Sequence, residues 1–255
     1  MTATKKIAAK VLMGAFALSL ANASQAQSFL KNLQKKVVPG KTDTASSSSG
    51  SSSSSSLSNT DIVSGLKEAL NTGTTKSANR LSVTNGFLND AAVKILLPPQ
   101  VQKVEKTARM MGLGKVFDDA ITSMNHAAED AAKSAAPIFL AAIKNMSISD
   151  ALGILKGGDT SATSYLRKSS TAQLTVAFRP SVDSGITKTG ATKYWNSMAT
   201  AYNKVSSTPM ETDLGAYVTQ KAIDGIFYYV AQEEKNIRKD PGAYASSIIQ
   251  KVFGK

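Results

Sequence analysis

The stretch "MNHAAEDAAK", residues 124–133, holds the one histidine of the chain. His126, Glu129 and Asp130 stand three and four residues apart, so a helix would carry them on one side. Histidine beside carboxylates is the raw material of a metal site or an acid/base pair. A zinc site needs further ligands at compatible spacing, and a di-iron bundle needs two Glu-x-x-His units on separate helices. A single histidine cannot supply the second unit. At 100° per residue, Phe117, Ile121, Met124, Ala128, Ala131 and Ala135 form one apolar stripe. His126 points away from it, beside Asp119, Thr122, Glu129, Asp130 and Lys133. The spacing therefore predicts a solvated or groove-facing polar face that holds no metal. Glu129–Lys133 and Glu105–Arg109 are expected as i, i+4 ion pairs.

A second chemical candidate is "LKGGDTSATSYL", residues 155–166. Two glycines free the backbone, Asp159 is placed to cap, and a helix then starts among hydroxyl residues. Backbone N–H groups at such a start attract an anion, although a cap and turn without any ligand uses the same residues. In "FYYVAQEEKNIRKDP" (227–241), Glu233 and Glu234 lie 100° apart on a helix. They cannot face one substrate as a general acid and base do, whereas Glu234 and Arg238 suit an i, i+4 pair. "GLGK" (112–115) lacks the leading glycine and following hydroxyl of a phosphate loop and reads as a helix break. "SGLK" (64–67) and "KTG" (188–190) match pieces of penicillin-binding motifs but fall in helical surroundings. No Gly-x-Ser-x-Gly elbow occurs, and no cofactor motif is found.

The elements that must carry these residues are helical. "NTDIVSGLKEALNTG" has an Asn59/Thr60 cap, an apolar row and Gly73 as a stop. Further helices are expected over 75–84, over 88–96 up to Pro98-Pro99, and over "PQVQKVEKTARMMG", with Val101, Val104, Ala108 and Met111 inward and Lys103, Lys106 and Arg109 projecting away. A long one starts near Gly114 and breaks at Pro137. Ser149 is expected to cap "DALGILK". A short helix carries "TSATSYLRK", and two pieces split by Pro180 follow. Trp195, Met198, Tyr202 and Val205 line one face of the next. Asp213 to Lys239 forms a last long helix stopped by Asp240-Pro241, before a terminal turn ending at Phe253. No alternating apolar run exceeds four residues. The expected fold is all-α, a single irregular domain of about ten helices over 57–255.

The N-terminus reads differently. Lys5, Lys6 and Lys10 precede the apolar "VLMGAFALSL" and the small-residue "ANASQA". This is the pattern of a secretory signal peptide over 1–26, with an apolar run about half the length of a membrane span. Residues 27–56, which include "SSSSGSSSSSS", are expected to form a disordered Ser-rich linker. The chain has no cysteine and a formal charge of +12. Disulfides and thiolate metal sites are thereby excluded. An exported basic protein meets anionic lipid headgroups or acidic polymers rather than nucleic acid.

"GLKEAL" (65–70), "MNHAAEDA" (124–131), "ISDALGILKGGDTSATSYL" (148–166) and "YVTQKAIDGIFYYVAQEEKNIRKDP" (217–241) together resemble domain-of-unknown-function family 4197, a group of exported helical bacterial proteins. The resemblance covers about Leu57 to Phe253. It implies a Gram-negative envelope setting and carries no catalytic residue over. His126 stands where the family pattern has arginine, which makes Asn125 and Glu129 better functional candidates than the imidazole.

The expected function is therefore a periplasmic envelope protein, without enzymatic activity or cofactor, that binds an anionic ligand or envelope partner in a groove between helices. Asn125, Glu129, Asp159, Thr163 and Tyr165 are the candidate ligand-binding residues. The alternatives are an envelope hydrolase or transferase using Glu129 or Asp159, and a structural or chaperone-like interaction protein.

Overall fold

The computed structural model describes residues 57–188, 190–204 and 206–254. The expected signal peptide and Ser-rich linker lie outside the described residues, as does Val205. Among the described residues there are nine α-helices and no strand. They are α1 (Asn59–Leu81), α2 (Pro99–Met110), α3 (Gly114–Ala132), α4 (Ala135–Lys144), α5 (Ile148–Lys156), α6 (Ser161–Thr187), α7 (Ala191–Asn203), α8 (Leu214–Lys239) and α9 (Ser247–Phe253). No single described helix is long and apolar enough to cross a membrane.

Side-chain caps set four of the nine described helix starts. Ser58 and Asp61 form a reciprocal capping box at α1, and Ser147 and Asp150 repeat it at α5. The serine hydroxyl in each box holds its aspartate below the usual carboxylate range. These replace the expected caps at Asn59/Thr60 and Ser149, each one or two residues away. Asp213 caps α8 through the Ala216 N–H, as expected.

α1 passes straight through Gly73 to Leu81, so the separate helix expected over 75–84 does not exist. Gly65, Ala69, Gly73 and Ser77 recur every fourth residue and are all buried. They form a ridge of small residues on which other helices seat closely. A Cβ on Gly73 would lie 3.3 Å from Glu233 Cβ on α8, and one on Gly65 would collide with Val252 on α9. Gly73 is a packing residue rather than a stop.

α6 likewise runs unbroken through Pro180. Ala162, Leu166, Ser170, Leu174, Phe178, Val182 and Ile186 are buried along its whole length. Proline removes one hydrogen bond to the carbonyl four residues earlier. Here that carbonyl belongs to Val176, which is 76% exposed, so the missing bond costs little on the solvent side. α6 lies antiparallel to α8. Thr163 meets Glu234 near one end, Arg167 meets Asp224 in the middle, and Arg179 meets Asp213 at the other end. It also crosses α3 so closely that a Cβ on Gly185 would stand 2.5 Å from Ala127 Cβ. The core fills the space between α1, α3, α4, α6 and α8, with Phe139 and Phe227 edge to face at 5.6 Å.

The main departure from expectation is residues 82–98. The helix expected over 88–96 is instead a strap of turns and extended chain. Val93, Ile95 and Leu97 are buried, and Lys94 and Leu96 between them are exposed. That is the alternation of a strand without a neighbouring strand to pair with.

Candidate functional site

Side chains from three helices supply the partners that the strap lacks. Asn125, fully buried on α3, accepts the Ile95 N–H at 2.8 Å and donates to the Ile95 carbonyl at 2.9 Å. One amide thus makes both bonds that an adjacent strand would make. Glu129, one turn on and 4% exposed, accepts the N–H groups of Asn85, Phe87 and Leu88 at 3.0–3.2 Å. Asn85 takes a positive φ of 64° to present its N–H. Tyr217 of α8 donates its hydroxyl to the Leu96 carbonyl, and burial pushes that phenol up to about 12. Tyr229 and Arg80 both bond Asp90. Burial pushes the Asp90 carboxyl up, but these two donors and the Ala92 N–H outweigh it and leave it below its usual range. Gly225 on α8 leaves room for the Phe87 ring, which a Cβ would strike at 2.6 Å.

Glu129 is therefore not on a wet face. The strap covers that side of α3, and Lys133 pairs with Asp130 instead of Glu129. His126 remains exposed at the edge, with Nε2 3.2 Å from Asn85 Oδ1. Glu105–Arg109 pairs at 2.7 Å as expected. Among the described residues, no three His, Asp or Glu side chains converge as metal ligands would.

The second candidate cluster is also occupied from within. The start of α6 does bind an anion, and the anion is the protein's own Glu234. Its carboxylate accepts the N–H groups of Ala162 and Thr163 at 3.0 and 2.8 Å and the Thr163 hydroxyl at 2.7 Å. Arg238 closes the arrangement at 3.0 Å and donates to the Ile154 carbonyl as well. Asp159 does not cap α6. It is exposed in the turn, and its carboxylate makes no hydrogen bond among the described residues. Tyr165 is half-buried against the core. Asn125 and Glu129 thus belong to one internal polar cluster, Thr163 to another, and Asp159 to neither.

The open space lies elsewhere. A groove of about 480 Å³ runs between α2, α3 and α7, walled by Leu97, Val101, Phe117, Met124, Trp195 and Leu214. This volume is in the range of small-molecule sites, about 300–1,000 Å³. A crevice between α1 and α8 measures only about 20 Å³, room for a single water. Trp195 is fixed in the groove wall by its indole N–H bond to the Glu211 carbonyl at 3.0 Å and by stacking on Tyr217 at 5.7 Å. Asp119 is the one charged lining residue, and Lys115 pairs with it at 2.8 Å. Val116, 59% exposed, stands at the mouth.

Sequence reasoning placed Phe117 and Met124 on one stripe and Trp195 and Met198 on another, and Met124 and Trp195 are indeed buried. The signal it passed over was their excess. Two apolar faces flank α2, a helix whose own buried residues are only Val101 and Ala108. Those two cannot fill the space between the faces. The strap connects this groove to the polar cluster, because Asn125 holds Ile95 and Leu97, two residues on, forms part of the groove wall.

No curated protein matches this chain, and no solved structure matches it. The family described as "Protein of unknown function (DUF4197)" matches residues 56–254, from just before α1 to just after α9. The strap, both internal polar clusters and the groove all fall inside that span, and the chain belongs to the DUF4197 family.

Proposed function

We propose that the protein is a non-catalytic envelope protein that binds an amphiphile by its apolar chain in the groove between α2, α3 and α7. The observation that carries this reading is the groove itself, a ligand-sized space with mostly apolar walls beside one ion pair at Asp119–Lys115. An apolar chain gains about 0.8 kcal/mol for each CH2 removed from water, and a polar head would remain near the ion pair. The engagement of Glu129 supports a binding role over a hydrolytic one. Its oxygens accept three backbone N–H groups and the side chain is buried beneath the strap, whereas a general base has to reach the substrate proton. Among the described residues, no hydrogen bond or ion pair orients the Asp159 carboxylate.

Trp195 is the only tryptophan in the chain, so its fluorescence reports on the groove. A brominated fatty acid added below its micellar concentration is expected to quench Trp195 saturably. Ala120→Phe, which fills the groove from its α3 wall, should weaken that quenching about tenfold or more, the scale of one or two well-buried side-chain contacts. Equal quenching in the variant, or none in the parent, refutes the reading.

The envelope setting rests on the lysines, apolar run and small residues of the first 26 positions. Intact-mass measurement of protein recovered from the periplasm should give a mature chain starting at Gln27 or Ser24. An exported protein that retains residues 1–26 would exclude this assignment.

A further inference from the structure

The hairpin of α2 and α3 ends in an apex that is at once apolar and positively charged. Its geometry is set locally. Gly112 takes φ +80°, the Leu113 N–H bonds the Ala108 carbonyl at 2.9 Å, and the Gly112 N–H bonds the Arg109 carbonyl at 3.1 Å. These two bonds around a left-handed glycine form a Schellman stop, which satisfies the end of α2 and reverses the chain. The apex is therefore rigidly built, and "GLGK" serves as its turn. What it presents is unusual for a surface. Met110 is 75% exposed, Met111 66%, Leu113 57% and Val116 59%. From Lys106 to Phe117 the chain has three cations and no acid.

We propose that this apex is a membrane-surface anchor that inserts between anionic lipid headgroups. The spacing of charge and apolar bulk supports that partner. On α2, Lys103, Lys106 and Met110 share the outward side, since positions three, four and seven apart fall within about 60° of one another. Met110 lies about 6 Å beyond Lys106 and about 10 Å beyond Lys103 along the helix axis at 1.5 Å per residue. Interfacial segments bury their apolar side chains about 5–10 Å deep while their lysines reach back to the headgroups. With α2 steep to the surface, both methionines and Leu113 enter the acyl boundary as Lys103 and Lys106 reach the phosphates. These two lysines are exposed and have no carboxylate at ion-pair distance among the described residues. Arg109 is engaged by Glu105 and Asp118, and Lys115 by Asp119. A soluble protein partner would be met by the same apolar side chains, but it would not need two unpaired lysines set back one and two turns from the tip. Methionine also suits a fluid boundary, because its flexible thioether adapts to irregular neighbours. The inference stands apart from the groove reading, since Met110, Met111, Leu113, Lys103 and Lys106 do not line the groove and only Val116 is common to both.

The absence of cysteine makes the test specific. The full-length chain with Leu113→Cys carries an environment-sensitive dye at the apex. A second version carries it at Val176→Cys, an exposed apolar position on α6. On vesicles of phosphatidylcholine containing phosphatidylglycerol, the apex dye should brighten and shift to the blue, and the α6 dye should not. Removing Lys103 and Lys106 by substitution with glutamine should weaken binding about fivefold for each lysine. Met110→Ser with Met111→Ser should abolish the dye response without changing the circular dichroism melt. Pure phosphatidylcholine vesicles should give little response. An equal response at both dye positions would assign binding to another part of the chain and overturn the proposal. So would vesicle binding with a silent apex dye, or an apex that responds only when another protein is added.

Discussion

Glu234→Ala should cost about 3–5 kcal/mol of folding stability, the penalty for breaking a buried, hydrogen-bonded ion pair from one side. The Glu234 side chain is 6% exposed and that of Arg238 15%. Without the carboxylate, Arg238 loses its counter-charge, and its guanidinium stays near the positive end of the α6 dipole. The Ala162 and Thr163 N–H groups and the Thr163 hydroxyl lose their acceptor at the same time. In a folded unit of this size the melting temperature should fall on the order of 10 °C. Glu234→Ala combined with Arg238→Met should be less damaging than Glu234→Ala alone, because no unpaired charge is left behind. Urea unfolding of the parent, both single variants and the double variant measures this coupling. A Glu234→Ala protein within 1 kcal/mol of the parent would mean that water serves the α6 terminus as well as the carboxylate does.

The second large effect is expected at Glu129. Glu129→Ala should lose about 2–4 kcal/mol, because it strands backbone N–H groups beneath a covered surface, each costing about 1–3 kcal/mol where water cannot reach it. The Phe87 N–H is buried and those of Asn85 and Leu88 partly so, which keeps the total below three full penalties. His126→Ala, three residues earlier on α3, should stay within about 0.5 kcal/mol. Its side chain is 47% exposed, with the Asn85 side-chain oxygen 3.2 Å and a Glu129 carboxylate oxygen 4.0 Å from Nε2. Paired urea titrations of the two variants decide the matter. Equal losses would show that the imidazole holds the strap as strongly as the carboxylate does.

Which features were legible in the sequence depended on how local their causes are. α8 was readable at both ends, because Asp213 caps its start and Asp240-Pro241 ends it through contacts within four residues. The Glu234–Arg238 pair was readable for the same reason, being one turn apart on a single helix. Pro180 and Gly73 misled in opposite ways. Proline was read as a break, although its lost hydrogen bond faces solvent. Glycine was read as a stop, although Glu233 of a distant helix requires its smallness. The periodicity of α3 placed His126, Glu129 and Asp130 together correctly. It had no access to the strap that leaves the first and third exposed and covers the second. Asn125 and Glu129 stood out by residue type, and their partners are backbone groups, which no side-chain pattern reveals. The groove was hidden because an apolar side chain reads alike whether protein or empty space lies against it.

The strap also constrains the order in which the chain can acquire structure. Its bonds to α3 join residues 30 to 44 positions apart, and those to Tyr217 and Tyr229 join residues 121 and 139 apart. Closing such loops is entropically costly until both ends are already fixed. The strap's own backbone bonds close only single turns, such as Asn89 N–H to the Asn85 carbonyl and Lys94 N–H to the Asp90 carbonyl, and form no continuous helix to hold it while it waits. It therefore settles only after α1, α3 and α8 have come together. Leu97, at its far end, is part of the groove wall. A release of the strap short of global unfolding would widen the groove, so access for a bulky chain would follow the opening of this one segment while the bundle behind it stays assembled.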